Sequence, residues 1–316
     1  MEILKVREKI YQKFSSPSVA IGNFDGVHLG HREIISRTVK SAHDRGKEAV
    51  VYTFDPHPRV VLNKVQDVPR INTEAEREKI LEDLGIDVLI LAEFTPEYAS
   101  QTPEQFVENT LVEELGVRSL FVGENYRFGK GRAGTASMLK KTGHDLGFTV
   151  HVVPSVKVDG VVVSSSGIRN LLLSGEVRKA NELLGRHFRI RGKVIHGHHR
   201  GKKLGFPTAN IKPDPKLRPP DGVYAVYASL ENDNATLRPA VMNIGWNPTF
   251  KDRKVSYETH IFDFDQEIYG QGIEIHMVDR IRPEMTFNGV EELKDQIRKD
   301  IEKSKQVLST SGDSPA

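Results

Sequence analysis

Two histidines three residues apart, His28 and His31, stand behind a glycine-bearing turn, Gly22-Asn23-Phe24-Asp25-Gly26. The apolar run Ser18-Val19-Ala20-Ile21 before the turn reads as a buried strand, and the stretch from about 30 to 45 reads as the helix after it. Glycines let a backbone turn sharply and approach a ligand closely. Imidazoles at i and i+3 share one helical face, and a helix N-terminus offers free N–H groups with the positive end of its dipole. That combination suits a polyphosphate. On spacing alone, the pair is as readily two surface histidines or two metal ligands.

Three further clusters could do chemistry. Thr53-Phe54-Asp55-Pro56-His57-Pro58 leaves a second strand as a turn stiffened by two prolines. Val122 to Arg132 mixes glycines, aromatics and cations and includes Asn125, Tyr126 and Arg127. Aromatic faces suit a planar ring system and cations suit its phosphate. Ser164-Ser165-Ser166-Gly167-Ile168-Arg169 sets three hydroxyls and a guanidinium at a helix start. It is an anion-binding group or a serine-rich cap with a solvated arginine.

The densest cluster is His196-Gly197-His198-His199-Arg200-Gly201-Lys202-Lys203-Leu204-Gly205-Phe206-Pro207-Thr208-Ala209-Asn210. It has no Walker A pattern, so a kinase here is not a P-loop enzyme. Backbone N–H groups of such a Gly/Lys-rich loop can wrap phosphates. The three histidines are metal ligands or solvated loop residues. Thr208 and Asn210, two apart on a strand, face the same way, and their hard oxygens suit Mg²⁺. Glu258, in Tyr257-Glu258-Thr259-His260, is a candidate general base or a solvated cross-strand partner.

These clusters need elements to position them. Strands are expected at 18–23, 48–54, 87–92, 118–123 and 148–153, with helices at 30–45, 73–84, 103–115 and 134–146 between them. Such alternation predicts a doubly wound parallel sheet with helices on both faces and ligands at the carboxyl ends of the strands. Short helices follow at 166–174 and 176–184. Strands at 187–195, 222–230, 238–244, 255–263 and 272–280 then predict an antiparallel β-barrel, closed by a helix from 289 to about 307 and a frayed tail from 309. The boundary is expected at Leu184-Gly185, giving domains 1–184 and 185–316.

With 316 residues, the chain suits two domains. Its net charge of +2 gives no reason to expect nucleic acid or an acidic membrane as partner. It has 0 cysteines, which excludes disulfides and thiolate chemistry and fits a reducing cytoplasm. The charged start, Met1-Glu2-Ile3-Leu4-Lys5, is unlike a signal peptide, and no apolar run approaches a membrane span.

HxGH after a first strand resembles the signature of the nucleotidylyltransferase superfamily. The wider string GNFDGVHLGH resembles the prokaryotic bifunctional riboflavin kinase/FMN adenylyltransferase (FAD synthetase) family. The likeness continues through TFxPHP, SSTxIR with Ser166 for Thr, HGxxxGxxLGFPTAN, the NIGxxPTF turn at 243–250 and the (V)E(T/V)H strand. It implies that His28, His31 and Arg169 stabilise the triphosphate while FMN attacks the α-phosphorus of ATP, releasing pyrophosphate. Gly22 to Gly26, Ser164, Ser165 and Ser166 would bind the nucleotide, and His57, Asn125 and Arg127 the flavin nucleotide. In the second half it implies riboflavin kinase chemistry. Gly197, Lys202, Gly205 and Arg282 would bind substrates, Thr208 and Asn210 would hold Mg²⁺, and Glu258 would act as base. The chain departs from common family residues at Asn125-Tyr126 (often Asp-Phe), Lys202 (usually Arg) and Tyr257 (often Val). Two alternatives stay open: one silent module, or a flavin-nucleotide sensor without catalysis.

Overall fold

The computed structural model describes all residues except 8–9, 11–13, 64–67, 198–200, 202–203, 232, 234–235, 247–254 and 311–316. Its contacts divide the chain into two compact units, Met1–Ser165 and Ser166–Ala316.

The first unit alternates strand and helix. Its elements begin with β1 (Glu2–Val6), β2 (Ser18–Ile21), α1 (Leu29–His43), β3 (Ala49–Asp55), α2 (Pro58–Asn63), α3 (Glu74–Asp83), β4 (Val88–Glu93) and α4 (Pro96–Ala99). Then come α5 (Pro103–Gln105), β5 (Ser119–Gly123), a β6/β7 hairpin (Arg127–Phe128, Gly134–Thr135), α6 (Ala136–Leu146), β8 (Thr149–Val153) and a β9/β10 hairpin (Lys157–Val158, Val161–Val162). The main sheet is parallel throughout, in the order β1-β4-β3-β2-β5-β8. Alternate strand residues feed opposite faces. Val19, Ile21, Val50 and Tyr52 pack with Phe106, Leu111 and Leu139 on one face. Ala20, Val51 and Leu89 pack with Ile34, Ile35 and Leu81 on the other. Two buried faces are what a parallel sheet requires.

Two expectations for this unit are corrected. The helix expected over 103–115 is α-helical only in α5, and Phe106–Glu114 is π-helical. The sheet also has a sixth strand, β1, whose exposure alternates as an edge strand's should.

The second unit begins with α7 (Ser165–Ser174), which starts one residue before the division, and α8 (Val177–Leu184). It continues with β11 (Phe188–Ile195), β12 (Ala209–Pro213), β13 (Gly222–Leu230), β14 (Arg238–Trp246), β15 (Val255–Ile261) and β16 (Gly272–Pro283). These close into an antiparallel barrel in the order β11-β12-β15-β14-β13-β16. The helix Val290–Thr310 follows, so Ser309 is helical where a frayed tail was expected. Its Leu308 packs with Val223, Val241 and Ile281 on the outer face of the wall. Asn181 of α8 bonds Met277 O and Phe188 N, both at 2.8 Å, which fixes α8 to the barrel.

Candidate active sites

In the first unit, β3 and β5 lie on either side of β2, so the strand order reverses there. A crevice at the carboxyl ends is the usual ligand position in such sheets. The loop leaving β2 is shaped by its backbone: Phe24, Gly26 and Val27 have φ of 47°, 86° and 36°. A β-branched residue at positive φ is strained and persists only where its surroundings over-determine it. Here they do. Phe24 and Val27 are fully buried, and the buried Asp25 carboxylate accepts the N–H groups of Ile71 (2.9 Å) and Asn72 (3.5 Å). Ser165 Oγ donates to Asp25 O at 2.9 Å. Phe24 and Asp25 therefore shape the loop from within.

His28 is the N-cap of α1, and its Nδ1 accepts the His31 N–H at 3.2 Å. A neutral His28 ring must then carry its proton on Nε2. Histidine is not among the favoured caps, so capping alone does not account for it. The two imidazoles stack with centroids 3.7 Å apart. A Cβ on Gly30 would lie 3.3 Å from the His28 ring, which explains the glycine between them.

A cavity of about 410 Å³ adjoins this loop. Gly22 and Asn23 reach it from the turn, Asn125 and Arg127 from beyond β5. Its aromatic walls are Phe54, Phe94, Tyr98, Phe106, Tyr126 and Phe128. The last two stack at 5.8 Å with planes 12° apart. Beneath them the Tyr52 and Tyr98 hydroxyls share a 3.0 Å hydrogen bond, and burial raises both phenols. His57 lines a separate small recess with Asn23, Asp25 and Arg77. Its Nδ1 accepts the Arg59 N–H at 3.1 Å. Burial, then the nearby Arg70 charge, lowers the Arg77 guanidinium against the opposing pull of Glu74, Asp55 and Asp25. Ser164 is half-buried, whereas Ser166 is exposed and Arg169 buried on α7 in the second unit.

The second unit builds its site from strand register. Asn210 of β12 pairs with Glu258 of β15, which pairs with Asn243 of β14. Asn243 pairs with Val223 of β13, which pairs with Arg282 of β16. One row thus crosses five of the six strands with side chains on the same face. All five residues line a cavity of about 420 Å³ between the wall and the C-terminal helix. Ser256 and His260, two residues either side of Glu258, face the same cavity. His260 Nδ1 lies 2.7 Å from Pro207 O, tying the catalytic-strand candidate to the segment that carries Thr208.

The glycines of the 196–210 motif have local reasons. A Cβ on Gly197 would collide with the Asn210 amide, and one on Gly201 with Phe206 O and Thr208 Oγ1. Gly205 adopts φ +90°. Lys202 lies outside the described residues. Arg282 Nε meets both Asp300 oxygens at 3.0 Å, Nη2 meets Oδ2 at 2.8 Å, and Nη1 donates to Pro283 O at 2.9 Å. Gln296 completes the Asp300 shell at 2.9 Å. Arg282 thus anchors the helix that forms the cavity's far wall. Trp246, at the end of β14, also lines the cavity; it is 46 % exposed, with the Arg218 guanidinium 5.6 Å from its ring.

A nucleotide-type crevice on a parallel sheet and an acid–amide row on a barrel define a two-site, nucleotide-using transferase. The FAD synthetase family model matches residues 11–167 and the Riboflavin kinase model residues 184–308. Over 310 residues the chain is 35 % identical to a bifunctional riboflavin kinase/FMN adenylyltransferase of Haemophilus influenzae, covering 98 % of this chain and 100 % of that one. The Bacillus subtilis protein of the same name is 39 % identical over 301 residues, 92 % of each chain. A solved structure titled a macrolide-efflux protein from Streptococcus pneumoniae matches with TM-score 0.84 and 32 % identity, covering 96 % of this chain and 99 % of that one. Among the described residues, no helix is long and apolar enough to cross a membrane. The chain belongs to the bifunctional riboflavin kinase/FMN adenylyltransferase family. It phosphorylates riboflavin to FMN and adenylylates FMN to FAD.

Proposed function

We propose that the two reactions occur in the two cavities, adenylylation beside His28 and His31 and phosphorylation on the barrel wall beside Glu258. The observation that carries this is a flavin-sized cavity in each unit, about 410 and 420 Å³, the first lined by Asn23, Asn125 and Arg127 and reached by the turn that leads to His28, the second lined by Asn210 and Glu258. We keep the functional boundary at Leu184-Gly185 on the sequence motifs, although the compact units place all but the first residue of α7, and α8, with the barrel.

In the kinase reaction, the Glu258 carboxylate takes the proton of the terminal ribityl hydroxyl as that oxygen attacks the γ-phosphorus of ATP, and ADP leaves. Among the described residues the Glu258 carboxylate makes no hydrogen bond or ion pair, and the residue lines the cavity. Thr208 and Asn210 offer neutral hard oxygens beside the cavity, a donor set that fits Mg²⁺ shared with nucleotide phosphates. Bound there, Mg²⁺ would neutralise phosphate charge.

For adenylylation, an FMN phosphate oxygen attacks the α-phosphorus of ATP and pyrophosphate leaves. The Nε2–H of His28 and the His31 ring stabilise the charge that builds on the phosphates, a role the family resemblance also gives to Arg169. No side chain forms a covalent intermediate. The resemblance gives the hydroxyls of Ser164 and Ser166 to the same phosphates, while Ser165 spends its O–H on Asp25 O, and Asn125 and Arg127 meet the flavin nucleotide. This chemistry belongs in the cytoplasm, with ATP and flavins as partners and neither nucleic acid nor membrane required.

A chromatographic time course with Mg-ATP, begun from riboflavin and in parallel from FMN, tests the assignment. FMN followed by FAD is expected, with Glu258→Gln stopping only the first step and His31→Ala only the second. Loss of both steps in either variant would overturn the one-cavity-per-reaction assignment.

A further inference from the structure

Asn243 sits beside Glu258 on the neighbouring strand, and both face the barrel-wall cavity. Directly paired residues on adjacent antiparallel strands have Cβ atoms roughly 5 Å apart. Among the described residues, the Asn243 amide makes no hydrogen bond, and neither does the Glu258 carboxylate. Two residues along β14, Gly245 leaves space that a Cβ would close: it would lie 2.5 Å from Glu284 Oε1 and 3.5 Å from Asn243 Nδ2. A half-buried amide thus stands beside the Glu258 strand with Glu284 nearby, its donors and acceptor unspent among the described residues.

The row changes character step by step. Asn210 lies at the proposed Mg-nucleotide end, Glu258 at the reacting hydroxyl, Asn243 next, and Val223 beyond it. Val223 belongs to the apolar cluster under the C-terminal helix, and Leu293 and Ile297 of that helix face it across the cavity. Riboflavin has a matching order of chemistry: a terminal hydroxyl, interior hydroxyls, then a flat aromatic ring with an apolar dimethylbenzene end. An amide both donates and accepts, so it can grip a hydroxyl that a carboxylate alone could only accept from.

We propose that Asn243 is a specificity-determining residue of the kinase site, binding an interior hydroxyl of the ribityl chain and so setting the terminal hydroxyl against Glu258. The proposal rests on Glu258 as the base. It assigns the polyol to Asn243 and the ring to the Val223 side of the row.

The test is a double-mutant cycle between protein and substrate, using the full chain. Kinase kcat/KM is measured for wild type and Asn243→Ala with riboflavin and its 2′-, 3′- and 4′-deoxy analogues. One neutral hydrogen bond lost is roughly a tenfold loss. Wild type should lose about tenfold on one analogue. Asn243→Ala should lose about as much on riboflavin and nothing further on that analogue, while the other two analogues lose equally in both proteins. Equal losses on all four substrates in the variant would overturn the proposal, because a structural defect does not know which hydroxyl is missing. Should the alanine variant fail to fold, Asn243→Asp keeps the volume and removes the donor, and the same cycle applies. Glu258→Gln separates the underlying reading. If it turned over normally, the base assignment would fall, and the deoxy cycle would still decide whether Asn243 holds the chain.

Discussion

The two cavities are close in size, about 410 and 420 Å³, yet they are built by opposite means. In the first unit, the anion end depends on backbone shape. A loop with three positive φ values is pinned from inside by Asp25, and its histidines emerge at a helix N-terminus. In the barrel, the reactive end depends on pleat and register, with five side chains from five strands set in one row. A parallel sheet buries both its faces and leaves chemistry to the loops at its ends. An antiparallel wall can give one whole face to a substrate. The loop site is therefore vulnerable through caps and glycines, and the wall site through single side chains.

The sharpest way to separate the two is Glu258→Gln. FMN formation from riboflavin should fall roughly 10³-fold, the range for a positioned general base. FAD formation from added FMN should be unchanged, and a parallel fall would show that the units do not act separately. His31→Ala is the mirror experiment, with adenylylation down by about 10²-fold and kinase turnover intact. His28→Ala should behave likewise but also cost about 1 kcal/mol as a lost cap. His28→Asn should recover the melting temperature without the rate, since asparagine caps but cannot replace the ring. Asp300→Asn removes one partner of a pair whose side chains are only 6 % and 16 % exposed. Urea denaturation should register a loss of about 2 kcal/mol, toward the lower end because Arg282 keeps some solvent. Gly197→Ala is the smallest of the set. It displaces the Asn210 amide, and kinase kcat/KM should drop roughly tenfold through misplacement alone.

What could be read in the sequence follows from the same contrast. The turn at 22–31 and the motif at 196–210 were legible because their chemistry is contiguous in the chain. The aromatic wall formed by Phe94, Tyr98 and Phe106 was not, since its members arrive from separate segments and meet only in the folded unit. Asn243 was visible as part of a turn motif, but its pairing with Glu258 depends on strand register. β12 was legible only through the motif it carries, because Ala-Asn-Ile-Lys-Pro is short and has little apolar periodicity; Thr208, expected on the same strand as Asn210, falls just before it. Apolar spacing over 103–115 announced a helix, but residues 106–114 form i→i+5 bonds that such spacing does not distinguish from i→i+4. The attachment of α8 to the barrel includes one amide, Asn181, bridging Met277 and Phe188, and an Arg178–Asp279 ion pair, neither of which periodicity announces.

Trp246 is the chain's 1 tryptophan, and it stands on the wall of the barrel cavity rather than in a core. The cavity of the first unit is walled by phenylalanines and tyrosines instead. The molecule therefore carries a built-in optical gauge on one of its two sites. Indole emission overlaps flavin absorption, so with flavin in the barrel cavity as proposed, light from Trp246 would dim and the filling could be timed without a label.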